Sequence, residues 1–187
     1  LSPVFYTGRG VQGAAGKMYP YPAQPNLGDE LVDVSYNMVY LENKYIKVTI
    51  LPGFGGKIFN AVDKTNGYEI IHSNTTVKPD LIGTLGAWVS GGIEWCFPHH
   101  HRPSTLMPAD YLLQENEDGS ATVWVGETER TLRLRGIIGI TVRPGCSYFD
   151  VEYRINNPTD LTKTFLFWAN ASMTANENYR TFWPPSQ

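Results

Sequence analysis

The stretch Tyr45-Ile46-Lys47-Val48-Thr49-Ile50-Leu51 decides the fold class. Apolar and polar residues alternate along it, so its two isoleucines and its valine share one face of an extended strand. A second alternating segment, residues 34–41, precedes it, and the polar residues 42–44 lie between the two. The pattern predicts a β-hairpin with one buried face.

The same pattern recurs along the rest of the chain. Alternating segments occupy residues 57–62, 68–71, 121–127, 132–136, 137–142, 148–155 and 163–169. Turns rich in Gly, Pro, Asn and Asp separate them. No window sustains apolar residues at i, i+3, i+4 and i+7, so a long amphipathic helix is not expected. We therefore predict an all-β fold, an antiparallel two-sheet β-sandwich.

Composition and charge exclude several classes of function. The chain has 187 residues, of which 42% are hydrophobic and 18% charged, which suits a single domain with a real core. Its net charge of −3 argues against a nucleic-acid partner. No apolar run reaches the ~18 residues that span a bilayer, so no membrane partner is expected. Two cysteines, Cys96 and Cys146, cannot form a disulfide framework, and their number leaves the compartment open between cytoplasm and periplasm.

The first 28 residues form a segment of different character. Tyr19-Pro20-Tyr21-Pro22 is followed by a third proline at Pro25. Each proline biases its predecessor away from the helical region. We predict that residues 1–28 are an extended lead-in wrapped over the sheet, and that residues 29–187 belong to the sandwich.

The densest group of chemically active side chains lies in residues 94–102, Glu-Trp-Cys-Phe-Pro-His-His-His-Arg. If this segment is extended, His99 and His101 share one face, while His100 and Arg102 share the other. Imidazole and guanidinium groups exchange hydrogen bonds with sugar hydroxyls, and an aromatic ring can stack on the sugar. The predicted catalytic residues are Glu94 and His100, and the predicted substrate-binding residues are His99, His101, Arg102 and Trp95.

Two other interpretations of this segment remain open. His99 and His101 could bind a divalent metal such as zinc, with Glu94 or Asp110 as a further ligand. Alternatively, the segment is a polar loop in which one histidine caps a carbonyl and the others face water.

Other conspicuous side chains are expected to be structural. Alternating strands need aromatic residues on their faces, so three aromatics are assigned to the core or to a sheet face: Tyr111, Trp124 and Trp168. Glu127 and Glu129 precede several arginines and are expected to form exposed cross-strand charge pairs.

Several of these motifs carry a resemblance to a known family. They are Tyr19-Pro20-Tyr21-Pro22, residues 41–52, Gly55-Gly56-Lys57-Ile58, Gly91-Gly92-Ile93-Glu94 and residues 100–104. In them the sequence resembles the bacterial domain of unknown function 5107, of the galactose-mutarotase-like superfamily, which is often fused to tetratricopeptide repeats. The resemblance implies the large β-sandwich of the aldose epimerases, of which this chain would be the N-terminal and central part, with closing strands beyond Gln187. It also implies a tetratricopeptide-repeat domain in the same full-length protein.

The resemblance extends to the histidine segment. Hexose-phosphate epimerases carry a Gly-Gly-Ile-Pro…Phe-Pro stretch similar to residues 91–98, which implies that the histidines lie at a sugar-binding rim. In these epimerases, the histidine that acts as the general acid would lie near residues 164–170. That segment contains Trp168 and Asn170 but no histidine.

The function predicted from the sequence is therefore a carbohydrate-binding or carbohydrate-processing domain without a cofactor. Its expected partner is a mono- or oligosaccharide, and any catalysis would be sugar-active. The alternatives are a non-catalytic protein-interaction module and a metal-dependent hydrolase that uses the histidines.

Overall fold

The computed structural model describes Tyr21 and residues 30–82, 86–98 and 101–185, with the backbone alone for residues 80–82 and 86–87. Within these ranges the regular elements are β-strands and one short 3-10 helix, Pro103–Leu106. The predicted all-β fold is confirmed. No helix in the described part of the chain has the length and apolarity needed to cross a membrane.

Two antiparallel sheets form the sandwich. The six-stranded sheet contains β1 (Val39–Glu42), β2 (Ile46–Leu51), β3 (Lys57–Asp63), β4 (Glu69–Ile71), β7 (Ile93–Cys96) and β12 (Trp168–Ala171). The four-stranded sheet has the order β11 (Phe149–Asn156), β10 (Arg135–Val142), β9 (Ala121–Thr128) and β8 (Asp110–Glu115). A separate ladder pairs β5 (Pro79–Ile82) with β6 (Gly86–Val89).

The predicted hairpin is the pair β1 and β2. Asn43, in the turn between them, closes the hairpin, because its Oδ1 accepts hydrogen bonds from the backbone N–H of Tyr45 at 2.7 Å and of Ile46 at 2.9 Å. Its Nδ2 donates to the carbonyl oxygens of Arg143 at 2.6 Å and Cys146 at 2.7 Å. One turn side chain thus fixes the hairpin and ties it to the turn between β10 and β11.

Strand alternation builds the core between the sheets. Ile46, Val48 and Ile50 are fully buried, as their spacing predicts. The four-stranded sheet contributes Val123, Val125, Ile138, Ile140 and Val142 to the same cluster. Each side chain of this kind stabilises the fold by about 1.5–3 kcal/mol when it leaves water.

Some strand predictions were wrong in detail. Residues 132–136 and 137–142 were expected as two strands, but the structure has one, β10, from Arg135 to Val142. The turn before it contains Arg133 with a positive φ of 61°. The last strand was expected at residues 163–169 and is instead β12, which begins at Trp168.

Tyr21 is the described residue of the predicted lead-in, and the rest of residues 1–28 lies outside the described ranges. Its side chain is fully buried. The hydroxyl donates to Glu129 Oε1 at 3.2 Å and accepts the backbone N–H of Arg130 at 2.9 Å. Burial raises the pKa of the Tyr21 phenol, so it stays a neutral donor to the carboxylate.

Glu129 corrects a second prediction, because it was expected in an exposed charge pair and is buried. Its carboxylate accepts the backbone N–H groups of Thr131 at 2.7 Å and Leu132 at 2.5 Å. These bonds, with that of Tyr21, satisfy the buried charge inside the turn that leads into β10.

Candidate functional site

Strand β7 has two buried faces, and the candidate site lies on the one that points away from the sandwich core. Ile93 and Trp95 belong to the core cluster, so alternation turns Glu94 and Cys96 to the opposite face of the six-stranded sheet. Asn170 of β12 is the direct cross-strand partner of Glu94 and lies on the same face.

Glu94 is the centre of a hydrogen-bonded group that we call the Glu94 cluster: Glu94, Cys96, His101, Thr105 and Asn170. The Glu94 side chain is buried. His101 Nδ1 donates to its Oε2 at 2.8 Å, and Thr105 Oγ1 donates to its Oε1 at 3.1 Å. Asn170 Nδ2 lies 3.4 Å from Oε2. The donors satisfy a carboxylate that would otherwise be costly to bury.

Lys57 places a second buried charge beside the cluster. It is 2% exposed, and its Nζ donates to the carbonyl oxygens of Val89 at 2.7 Å and Gly91 at 2.6 Å. Burial lowers the pKa of Lys57 to about 8, and the negative charge of Glu94 partly opposes that shift. The lysine therefore fastens the segment before β7 to the sheet.

Gly91 and Gly92 allow the segment before β7 to approach β3 closely. Both have positive φ, 81° and 73°, where a side chain is strained. A Cβ on Gly92 would lie 2.1 Å from the carbonyl oxygen of Ile58. The double glycine thus lets the chain lie directly against β3.

A cleft of about 200 Å³ opens between this double-glycine segment and β12. Its lining residues are Trp88, Val89, Ser90, Gly91, Gly92, Glu94, Asn170, Ala171 and Ser172. One carboxylate, one amide and two hydroxyls thus line a space with the volume of a single small molecule.

Two larger depressions lie elsewhere on the described surface. One, of about 1000 Å³, adjoins residues 128–133 and 158–163. The other, of about 730 Å³, lies on the four-stranded sheet and includes Tyr111 and Trp124. Neither is lined by residues of the predicted segment 94–102, so the smaller cleft is the candidate site.

Two of the predicted site residues, Glu94 and His101, come together in the cluster. His99 and His100 lie outside the described residues, and their roles remain predictions. Among the aromatics assigned to a sheet face, Trp168 contacts His101 edge to face, with the ring centroids 5.1 Å apart.

The structure does not support Trp95 as a stacking surface for a sugar. Its side chain is 2% exposed, and its Nε1 donates to the carbonyl oxygen of Gly56 at 3.0 Å. Alternation along β7 explains the difference, because Trp95 faces the core whenever Glu94 faces the cleft.

Arg102 is likewise placed inside the molecule rather than at a ligand. It is 4% exposed and donates from Nη2 to the carbonyl oxygen of Gly55 at 2.5 Å. Its Nη1 lies 3.3 Å from Glu127 Oε1, which also accepts the hydroxyl of Ser104 at 2.5 Å. Glu127 was expected in an exposed pair, but alternation along β9 places it on the same face as Val125, where it is partly buried and pairs with the buried Arg102.

The structure also brings together a different set of possible metal ligands from the one predicted. Asp110 is exposed on β8, whereas Cys96 points into the cluster. The ligand atoms of Glu94, Cys96 and His101 all lie within 4.8 Å of one another. Burial, together with the charge of Glu94, raises the pKa of the Cys96 thiol, which is therefore protonated at neutral pH.

The residues that were not predicted for the site are Lys57, Cys96, Thr105, Asn170, Ser90 and Ser172. Cys96 follows Glu94 by two positions, a spacing that places both on one face of a strand, and this was the available signal. Lys57 and Asn170 reach the site only through the order β3, β7, β12 in the sheet, which no local pattern encodes.

Two solved structures are similar to this chain, and the first of them supports the fold. A TPR-domain containing protein from Parabacteroides distasonis ATCC 8503 superposes with a TM-score of 0.76 at 25% identity, over 82% of this chain and 26% of that one. The Slr1438 protein from Synechocystis sp. PCC 6803 gives a TM-score of 0.48 at 15% identity, over 70% of this chain and 53% of its own. The chain thus spans about a quarter of the length of the first structure.

The sequence itself matches the family described as "Domain of unknown function (DUF5107)" over residues 14–187. This match covers nearly all of the chain and includes every residue of the Glu94 cluster. The chain therefore belongs to the DUF5107 family.

Proposed function

We propose that this domain binds a single sugar ring in the cleft beside Glu94. The observation that carries the proposal is the buried pair of Glu94 and His101, 2.8 Å apart, next to a cleft lined by that carboxylate. A carboxylate held in position by an imidazole can act in general acid–base chemistry on a hydroxyl.

The other lining groups suit a polyol. Asn170 offers an amide donor and acceptor, and Ser90 and Ser172 offer hydroxyls that both donate and accept. At about 200 Å³ the cleft is smaller than the ~300–1,000 Å³ of drug-sized sites. One sugar ring, rather than an extended oligosaccharide, is therefore the expected occupant.

The pair also suggests what catalysis would involve. Glu94 would accept the proton of a sugar hydroxyl, and His101 would hold the carboxylate in position and stabilise its charge. The resemblance of residues 91–98 to hexose-phosphate epimerases supports a galactose-mutarotase-like scaffold, whereas the role of Glu94 is proposed from its geometry. Anomeric exchange of hexoses, followed by NMR, measures whether chemistry follows binding.

Replacement of Glu94 tests the sugar site directly. Glu94→Gln keeps the size of the side chain and removes the proton acceptor, so hexose binding measured by ligand-observed NMR should weaken at least tenfold. Glu115→Gln on β8 is the matched control, because Glu115 is exposed and outside the cluster. Unchanged hexose binding by Glu94→Gln would remove the proposal.

A metal-dependent hydrolase is the second candidate, and the convergence of Glu94, Cys96 and His101 is the observation that favours it. Three ligands with one open position is the usual arrangement of a catalytic zinc. Two features rank it lower: the Cys96 thiol must lose a proton that burial stabilises, and the Lys57 ammonium lies beside Glu94.

Elemental analysis after growth with zinc distinguishes the two candidates. The hydrolase candidate requires about one zinc per chain in the wild type and much less in Cys96→Ser. Purified protein with no bound metal under those conditions would eliminate it.

We also propose that the full-length protein carries tetratricopeptide repeats. The support is the solved structure with a TM-score of 0.76, which is described as a TPR-domain containing protein. The complete reading frame of the native protein tests this proposal.

A further inference from the structure

We infer that the cleft selects uncharged sugars and discriminates against sugar phosphates and uronic acids. This inference rests on the proposed sugar site and adds the chemical class of its ligand. It follows from where the charges around the cleft point.

The fixed charge in the cleft wall is negative. The Glu94 side chain lines the cleft and is only 2% exposed. Water screens a buried charge poorly, so an anionic ligand in a cleft of this size would meet that carboxylate at short range.

The two nearest buried cations point away from the cleft, although the charge of Lys57 partly offsets that of Glu94. Lys57 directs its ammonium to the carbonyl oxygens of Val89 and Gly91. Arg102 directs its guanidinium to the carbonyl of Gly55 and to Glu127. Both side chains are committed to the framework, and neither is among the lining residues of the described chain.

Two backbone N–H groups at the cleft are committed as well. The N–H of Gly92 donates to the carbonyl of His72 at 2.7 Å, and the N–H of Ser172 donates to the carbonyl of Gly92 at 2.9 Å. Phosphate sites use arginine, lysine or convergent backbone N–H groups. These two N–H groups are not available for that purpose, whereas the neutral groups of Ser90, Asn170 and Ser172 suit hydroxyls.

The test compares matched ligands on the wild-type domain at constant ionic strength. Glucose, galactose and mannose are titrated beside their 6-phosphates and beside glucuronate and galacturonate, with binding followed by calorimetry or NMR. The expected result is that at least one uncharged hexose binds, and that its phosphate and uronate bind at least tenfold more weakly.

A charge placed in the cleft should reverse the preference. Ser172→Lys introduces a cation at the lining, so it should bring the affinity for the phosphate up to that for the parent hexose or above it. Thr164→Lys adds the same charge at an exposed site outside the cleft and should leave the wild-type preference intact.

The outcomes separate the two proposals. A wild-type domain that binds a hexose phosphate as tightly as the hexose overturns the inference and leaves the sugar site standing. A domain that binds no sugar of either charge overturns the sugar site and the inference with it.

Discussion

At the scale of single residues, the site is a compromise between two opposite charges buried on one face of a sheet. Glu94 is satisfied by three side-chain donors, whereas Lys57 is held by two carbonyl oxygens and lies in a medium that disfavours its charge. The charge of Lys57 at neutral pH therefore destabilises the fold, and the free energy of unfolding should depend on pH.

Lys57 predicts a rise in stability at alkaline pH. Between pH 8 and 10.5 the unfolded chain keeps the lysine proton and the folded chain releases it, so the free energy of unfolding increases with pH in that window. The wild type should gain up to about 3 kcal/mol relative to Lys57→Met across the window. Urea unfolding of both proteins at several pH values measures the difference, and parallel curves would contradict a depressed lysine pKa.

We expect the addition of one methyl group at Gly92 to destabilise the fold strongly. Gly92→Ala places a Cβ at positive φ and against the carbonyl of Ile58, so it should destabilise the fold by about 2–4 kcal/mol. Gly53→Ala is the control, because a Cβ there meets nothing within 4 Å. Thermal unfolding of the two variants should differ clearly, and equal effects would mean that the segment before β7 does not lie where the structure has it.

At the scale of elements, strands were predictable where one face is buried and the other is not. β9 and β10 come close to this alternation, and strands were expected there at residues 121–127 and 137–142. β7 was not, because its four residues are all buried, and β8 was not, because its six residues are all exposed. A binary pattern cannot identify a strand whose two faces have the same environment.

The segment after β7 is joined to the opposite sheet by the ion pair of Arg102 with Glu127. Arg102→Met leaves the partly buried Glu127 carboxylate without its cation and should cost about 1–3 kcal/mol. The double variant Arg102→Met with Glu127→Gln should recover part of that loss. Free energies of unfolding from denaturant titration complete the cycle, and simple additivity of the two changes would exclude coupling between the residues.

At the scale of the whole molecule, the candidate site was only partly predictable. Glu94 and His101 are seven positions apart, so a local segment of sequence was enough to propose them. Asn170 is 76 positions from Glu94 and joins it only because β12 pairs with β7. Trp95 and Arg102 lie in the same segment but point elsewhere, because strand alternation and the partly buried carboxylate of Glu127 on β9 determine their directions.

The most direct test of the sugar site is an NMR titration of isotope-labelled protein with an uncharged hexose. We expect saturable chemical-shift changes at the backbone amides of Gly92, Glu94 and Ser172. We expect none at Trp124 and Gly126, which line the depression of about 730 Å³ on the four-stranded sheet. Shifts confined to the four-stranded sheet, or no saturable shifts with any hexose, would contradict the sugar site.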